Sequence, residues 1–250
     1  MRIPRFYFSG TLALGARLVL PKEAAHHAAR VLRMVEDDVL SLFSGDGQEY
    51  RARIVRIEKQ DVVVTVESRA PVSRESPLAV LLVQGISSGE RMDYTLQKAV
   101  ELGVAAIQPI QTERSVVKLA GERREKRMRH WQNIVTAACE QCGRGRVPEV
   151  KPAVGLTDWL ATLSEAWGEA SREGLRMVLS PEAEVSLRTL APPAGPVMLA
   201  AGPEGGFSGN ERALLLQYGF TPVRLGPRVL RTETAALAAL AGMQTLWGDF

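Results

Sequence analysis

Two glycine-bearing segments near the C-terminus constrain the fold more than any other part of this sequence. They are Ala200-Ala201-Gly202-Pro203-Glu204-Gly205-Gly206-Phe207 and Leu225-Gly226-Pro227-Arg228-Val229-Leu230-Arg231-Thr232-Glu233-Thr234-Ala235. Each follows a short apolar run that reads as a buried strand, Val197–Ala200 and Pro222–Leu225, and each precedes a helical pattern. Glycine costs about 0.5–1 kcal/mol against alanine in regular structure, so it is kept where backbone bends sharply or approaches something closely. Two such loops at the carboxyl ends of strands predict a ligand crevice in an α/β fold. Neither G-x-x-x-x-G-K-[ST] nor a G-x-G-x-x-G opening a first βαβ unit is present, so a ligand there is gripped by main-chain groups rather than by a phosphate cradle.

Upstream, the periodicity divides the chain into 1–70, a linker at 71–77 and 78–250. The first part reads as a small β-rich barrel: an extended start, a helix over Glu23–Met34, and strands at Val39–Phe43, Tyr50–Ile57 and Val62–Glu67. Tight turns at Ser44-Gly45-Asp46-Gly47 and Lys59-Gln60-Asp61 join them. Ala70-Pro71-Val72-Ser73-Arg74-Glu75-Ser76-Pro77 has linker composition. From Leu78, strands alternate with helices. Leu78–Gln84, Val104–Ile110, Arg176–Leu179, Val197–Ala200 and Pro222–Leu225 are the strands, and Arg91–Leu102, Glu122–Gln141, Thr157–Trp167 and Glu233–Trp247 the helices. Met128, Trp131, Val135, Ala138 and Cys142 form the stripe of the longest helix. The last helix is apolar nearly all round, which demands a deep core position or a subunit interface of small residues. Ser115–Leu119 stays ambiguous, and no internal repeat or low-complexity tract is present.

With 46% hydrophobic residues, the 250-residue chain can build one large core or two smaller ones. A formal charge of +3 permits nucleic acid without requiring it. Base is concentrated early: Arg2, Arg5, Arg30, Arg33, Arg51 and Arg53 lie near Phe6, Tyr7 and Phe8, a mixture that suits RNA as well as a solvated face. Arg123, Arg124, Lys126, Arg127 and Arg129, followed by Gly143-Arg144-Gly145-Arg146, continue the basic surface. No apolar run reaches a membrane span and no secretory leader opens the chain, so a cytoplasmic protein is expected. Cys139 and Cys142 lack two further ligands at zinc spacing, so reduced packing thiols are expected and no metal.

Taken together, Glu101-Leu102-Gly103-Val104, Glu113-Arg114, Ala138-Cys139-Glu140-Gln141-Cys142-Gly143-Arg144, Gly202–Gly206, Leu225–Ala235, and His27 with Arg30-Val31-Leu32-Arg33-Met34 resemble the ribosomal RNA small-subunit methyltransferase E family. The resemblance runs over the whole chain, with the blocks in family order. It implies a SPOUT-type α/β domain over 78–250, with a mostly parallel sheet and a deep trefoil knot, and a PUA-like β-barrel for RNA over 1–70. It also implies a homodimer that methylates N3 of one uridine in 16S ribosomal RNA of the small subunit, using S-adenosylmethionine. By analogy, Ala201, Gly202, Pro203, Glu204, Gly205, Leu225, Gly226, Arg228, Val229 and Leu230 form the cofactor pocket, above Thr234 and Ala235. Arg231 is the first candidate to stabilise charge on uracil O2 and O4. Glu233 is either the base or a carboxylate favoured by the helix dipole, and solvent is a third acceptor for the proton. Arg114, Glu140 and Arg144 are candidates for placing the nucleotide, with Arg5, His27, Arg30 and Arg33 on the RNA-binding module. Two other readings use the same residues: ribose 2′-O methylation, and a non-enzymatic RNA-binding assembly factor. A Rossmann-type methyltransferase is disfavoured because Gln84-Gly85-Ile86-Ser87-Ser88-Gly89 lacks the fingerprint.

Overall fold

The computed structural model describes residues 3–59, 61–163 and 174–250. Arg2 and Gln60, and the end of the helix expected over Thr157–Trp167, lie outside them. The chain forms two compact units, Met1–Glu75 with Cys139–Val147, and Ser76–Ala138 with Pro148–Phe250.

The N-terminal unit is a five-stranded mixed sheet. Its strands are β1 (Arg5–Tyr7), β2 (Arg17–Val19), β3 (Val39–Phe43), β4 (Gln48–Glu58) and β5 (Asp61–Pro71), in the order β1-β3-β4-β5-β2. Only β1 runs parallel to its neighbour β3. Alternation is why the long hairpin has one wet face: Tyr50, Ala52 and Ile54 of β4 and Val62, Val64 and Val66 of β5 enter the core, while Arg51 stays outside. The register shifts between Arg51 and Ala52 and between Ile54 and Arg56, and such bulges bend and twist a long hairpin. Strand β2 carries no legible signal of its own, because three residues with exposed Arg17 and Val19 have too little pattern to read. Ala70 and Pro71 are the last residues of β5, paired with Glu49 and Gln48, so the strand runs into the span expected as linker.

The expected helix over Glu23–Met34 is two pieces, α1 (Lys22–His26) and a π-helical turn (His27–Val31). Arg33 lies beyond it with φ 53°, so it does not share a helical face with Arg30.

The second unit contains a parallel sheet of seven strands. They are β6 (Val80–Gly85), β7 (Ala106–Gln111), β8 (Glu149–Val150), β9 (Val154–Gly155), β10 (Leu175–Leu179), β11 (Val197–Ala201) and β12 (Thr221–Val223). The path is β12-β10-β11-β6-β7-β8, with β9 also on β7. Every residue of β6 and β11 is buried, as expected of strands covered on both faces. The described helices are α2 (Gly89–Glu101), α3 (Gly121–Cys142), α4 (Leu156–Ala161), α5 (Gly209–Gln217) and α6 (Thr232–Trp247). Gly103, at φ 80°, ends α2 in the left-handed conformation that L-residues avoid. Leu225 falls outside β12: only Arg224 bridges onward, to Ser186, so Leu225 already belongs to the loop.

In α3, Trp131, Val135, Ala138 and Cys139 are buried, whereas Met128 and Cys142 are only partly so. Burial pushes the Cys139 thiol up to about 12, which keeps it protonated and unreactive. Helix α6 buries Ala236, Ala239, Leu240 and Met243 but leaves Leu246 46% exposed and Ala238 exposed. Among the described residues no helix is long and apolar enough to cross a membrane.

Candidate active site

The strands β10, β11 and β12 end at Leu179, Ala201 and Val223, and all three residues line one cavity of about 480 Å³, a size suited to a small molecule. The sheet order steps from β6 to β7 on one side while β11, β10 and β12 lie on the other. In open parallel sheets a ligand crevice forms outside the carboxyl ends of strands near such a reversal. Ala201, Gly202, Pro203, Glu204, Gly205, Leu225, Gly226, Arg228, Val229, Leu230, Arg231, Glu233 and Ala235 line the cavity. Thr234 does not: it is exposed on the first turn of α6, while Thr232 takes a place in the wall.

Close packing explains the first loop's glycines. A Cβ on Gly202 would stand 2.9 Å from the Gly206 Cα, and one on Gly205 would stand 3.0 Å from the Arg114 Cβ. Gly206 has φ 65° and turns the chain back, with its N–H donating to the Pro203 oxygen at 2.8 Å. In the second loop Gly226 has φ 142°, and nothing lies within 4 Å of where its Cβ would be. Main chain is therefore bare towards the cavity at that point.

A buried amide joins the two loops. Gln84 pairs in register with Ala201, which sets its side chain beside the first loop. Its Nε2 donates to the Gly85 oxygen at 3.0 Å and to Thr232 Oγ1 at 3.2 Å, and Thr232 Oγ1 donates to the Gly202 oxygen at 2.6 Å. The start of α6 is thereby tied to the first loop. In sequence Gln84 reads as the end of an apolar run; a polar residue closing a fully buried strand is the signal that marks it.

Glu204 faces away from a role as a bare cofactor contact. Its Oε1 accepts from the Ser88 N–H at 2.9 Å, the Ser88 hydroxyl at 2.7 Å and Arg91 Nη1 at 2.9 Å. Ser88 precedes α2, so the carboxylate also sits at the positive end of that helix. Burial works against its charge, but the Ser88 hydrogen bonds and those from its own backbone and Arg91 prevail and hold the carboxyl at about 2. Because this lies below the ordinary value of 4.5, the stabilisation is fully present above about pH 4.5 and is lost as pH falls towards 2. Glu204→Gln is expected to lower stability at pH 7 by about 0.5–1 kcal/mol, because solvent screens this exposed carboxylate, and to flatten the pH dependence in that acid window. Denaturant titrations from pH 2 to 7 measure both effects.

Glu211 holds the other side. Its Oε2 accepts from the Ser208 N–H and its Oε1 from the Glu113 N–H, each at 2.8 Å, while Ser208 Oγ accepts from the Glu211 N–H. This capping box at the start of α5 fastens the Glu113-Arg114 loop to the first glycine loop, and Ser208-x-x-Glu211 was its sequence signature. Arg114 Nη1 then donates to the Gly205 oxygen at 3.0 Å.

Arg231 immediately precedes α6, whose first turn closes through the Ala235 N–H on the Arg231 oxygen at 2.8 Å. Its side chain is exposed at the cavity and, among the described residues, pairs with no acid. Glu233 lies in the first turn of α6; its Oε2 is buried without a hydrogen-bond partner. Glu233 lines the cavity, and its unpartnered carboxylate oxygen keeps the capacity to accept an N–H or O–H.

The remaining candidates belong to the N-terminal unit. Arg5, 9% exposed, donates to Glu49 Oε1 at 2.6 Å and to the oxygens of Cys139, Glu140 and Arg144, and stacks over Phe43 at 4.5 Å. Arg144, 6% exposed, pairs with Glu75 at 2.6 Å. Glu140 Oε1 accepts the Tyr7 N–H at 2.8 Å, and burial raises its pKa. These three residues knit the unit together. His27, Arg30 and Arg33 are exposed.

Comparison with known proteins supplies independent findings. Residues 74–244 match the model of an RNA methyltransferase domain, and residues 20–67 that of an RNA methyltransferase PUA domain. The chain is 32% identical over 249 residues to ribosomal RNA small subunit methyltransferase E of Buchnera aphidicola from Acyrthosiphon pisum, covering 100% of this chain and 96% of the relative. It is 32% identical over 227 residues to the protein of that name from Bacillus subtilis, covering 88% and 87%. Among solved structures, Legionella pneumophila Lpg2936 with bound cofactor SAM superposes with a TM-score of 0.93 at 43% identity, over 100% of both chains. The Neisseria gonorrhoeae ribosomal RNA small subunit methyltransferase E bound to S-adenosyl methionine does so with a TM-score of 0.90 at 41% identity, again over 100% of both.

Proposed function

We propose, from the premise that this chain belongs to the ribosomal RNA small subunit methyltransferase E family, that it methylates N3 of a uridine in 16S ribosomal RNA with S-adenosylmethionine as donor. The observation that carries the reading is the cavity at the carboxyl ends of β10–β12, walled by the bare backbone of both glycine loops and bordered by Arg231 and Glu233. S-adenosylmethionine carries no phosphate, and this cavity offers main-chain donors and acceptors rather than a phosphate loop, so the residues present fit it. When bound, it supplies an electrophilic methyl group on sulfonium sulfur.

The protein's share is alignment and charge. Gln84 and Thr232 fix the spacing of the loops, and correct alignment accounts for a large part of such a barrier reduction. Loss of the uracil N3 proton leaves negative charge on O2 and O4. The Arg231 fork and the positive end of α6 both stabilise that charge, which lowers the demand on any base. Glu233 lines the cavity and keeps one carboxylate oxygen without a partner in the protein, which supports it as the acceptor of the N3 proton. The reading includes the trefoil knot and the homodimer that the family resemblance implies. The outward side of α6, with Ala238 and Leu246 uncovered in the single chain, supports a contact between copies.

The test is incubation of the purified protein with small-subunit ribosomal RNA and labelled donor, followed by nucleoside mass spectrometry. N3-methyluridine is the expected product. A 2′-O-methylated nucleoside would transfer the site to ribose chemistry, and absence of donor binding would leave an assembly factor.

A further inference from the structure

The cavity at the carboxyl ends of β10–β12 carries more positive charge than its own donor can use. Five arginines line it, Arg91, Arg114, Arg212, Arg228 and Arg231, against two acids, Glu204 and Glu233. Glu113 and Glu182, next in sequence to lining residues, are exposed and outside the lining, and even with them the balance stays positive. S-adenosylmethionine brings a sulfonium and an ammonium for one carboxylate, so it enters as a net cation, and charges of one sign at such range repel. The protein already occupies some of the arginines. Arg91 Nη1 stands 2.9 Å from Glu204 Oε1, Arg212 Nη1 3.7 Å from Glu182 Oε2, and Arg114 Nη1 donates to the Gly205 oxygen at 3.0 Å. Arg228 and Arg231 form no ion pair among the described residues. Arg231 has the uracil oxygens to serve. Arg228 is left without an anion.

Its place in the second glycine loop is fixed from both sides. Before it, Val223 pairs with Leu179 in the sheet and the Arg224 N–H donates to the Val185 oxygen at 2.9 Å. After it, Thr232 Oγ1 holds the Gly202 oxygen at 2.6 Å. Between these anchors Gly226, at φ 142°, and Pro227 turn the chain outward, so that Pro227, Arg228 and Val229 are all exposed, Val229 at 80%. Arg228 thus lines the cavity and faces solvent at once. A cation on a loop held at both ends loses little further freedom when it engages a ligand.

We infer that the Arg228 side chain is a positioning group for the substrate: it binds a phosphate flanking the target uridine, and that phosphate offsets the repulsion between cavity and donor, so that RNA and donor raise each other's affinity. This rests on the methyltransferase reading above. The donor's one carboxylate shares a carbon with its ammonium group and offers a cationic wall little net charge. A phosphodiester carries a full negative charge with no such neighbour, one sugar away from the base that receives the methyl, and the guanidinium fork suits its oxygens. Linkage makes the coupling reciprocal. The thioether product has lost the sulfonium charge and gains little from the phosphate, so bound RNA favours fresh donor over spent product.

Calorimetry on the full-length protein tests it with two ligands that transfer no methyl group. Sinefungin keeps a positive charge, an ammonium, where the donor has its sulfonium; S-adenosylhomocysteine is the neutral thioether. Saturating small-subunit ribosomal RNA is expected to tighten sinefungin binding to the wild type about fivefold and to leave S-adenosylhomocysteine within about twofold. Arg228→Ala is expected to lose that tightening, to bind the RNA about fivefold more weakly, and to lower the slope of log RNA affinity against log salt by roughly 0.7–0.9, the share of one phosphate. Its sinefungin affinity without RNA and its melting midpoint should stay at wild-type values, because the side chain is exposed and unpaired. Arg228→Lys should restore most of the slope, since an ammonium still binds phosphate as a point charge. Wild-type RNA affinity and slope in Arg228→Ala would overturn the assignment. So would weaker sinefungin binding by that variant without RNA, which would give Arg228 to the donor's carboxylate. An equal response of both ligands to RNA would overturn charge as the link. Failure of the wild type to bind either ligand at all would instead remove the methyltransferase reading itself.

Discussion

Arg231→Ala is expected to lower turnover on ribosomal RNA by about 10²–10³-fold and to leave donor affinity within about threefold, the size of effect seen when one preorganised donor to developing charge is removed. The asymmetry follows from position. Arg231 holds no loop in place: its side chain is exposed and unpaired among the described residues, and only its carbonyl oxygen serves the first turn of α6. Truncation at Cβ therefore leaves the cavity wall standing. Arg231→Lys should recover little, because a single ammonium cannot present the two parallel donors that suit a uracil edge. Single-turnover rates with saturating donor, set beside calorimetric donor affinities, separate the two quantities. An equal loss in both would make Arg231 a binding residue.

Gly85→Ala is expected to weaken donor binding by about 100-fold, although Gly85 touches neither glycine loop by sequence. A Cβ there would stand 2.5 Å from the Pro203 nitrogen and 2.9 Å from the Gly202 carbonyl carbon. Both are backbone atoms with no rotamer to change, so the first loop must move outward, and misplacement near 1 Å in a positioning element costs about this much. The same overpacking should lower stability by about 1–3 kcal/mol. Gly206→Ala is the matched control: its Cβ would meet nothing within 4 Å, but its φ of 65° imposes about 1–2 kcal/mol of backbone strain. Calorimetry on both variants distinguishes collision from strain. If both bind donor like the wild type, the first loop is a turn and not a wall.

Much of the second unit was legible because its signals are local. A fully apolar strand such as Val197–Ala201, a glycine stop after α2 and a 3-4 stripe on α3 each carry their cause within a few residues. The N-terminal unit was legible where its hairpin alternates and illegible where it does not. Strand β2 exists because β5 offers it an edge, and the π turn exists because Ala28 and Met34 must both reach the core. Arg5 and Arg144 read as surface base, since a sequence shows charge but not the acids and carbonyl oxygens waiting for it.

The sequence by itself determined the class of fold, the two loops and the likeness that names a family, all of which depend on residue type and spacing along the chain. Tertiary structure alone decided which polar groups are spent on holding the protein together and which stay available. Glu204, Glu211 and the Nε2 of Gln84 fasten loops, while the Arg231 side chain, one oxygen of Glu233 and the Oε1 of Gln84 remain uncommitted. That division rests on hydrogen bonds between residues up to 148 positions apart, and no local pattern can encode them.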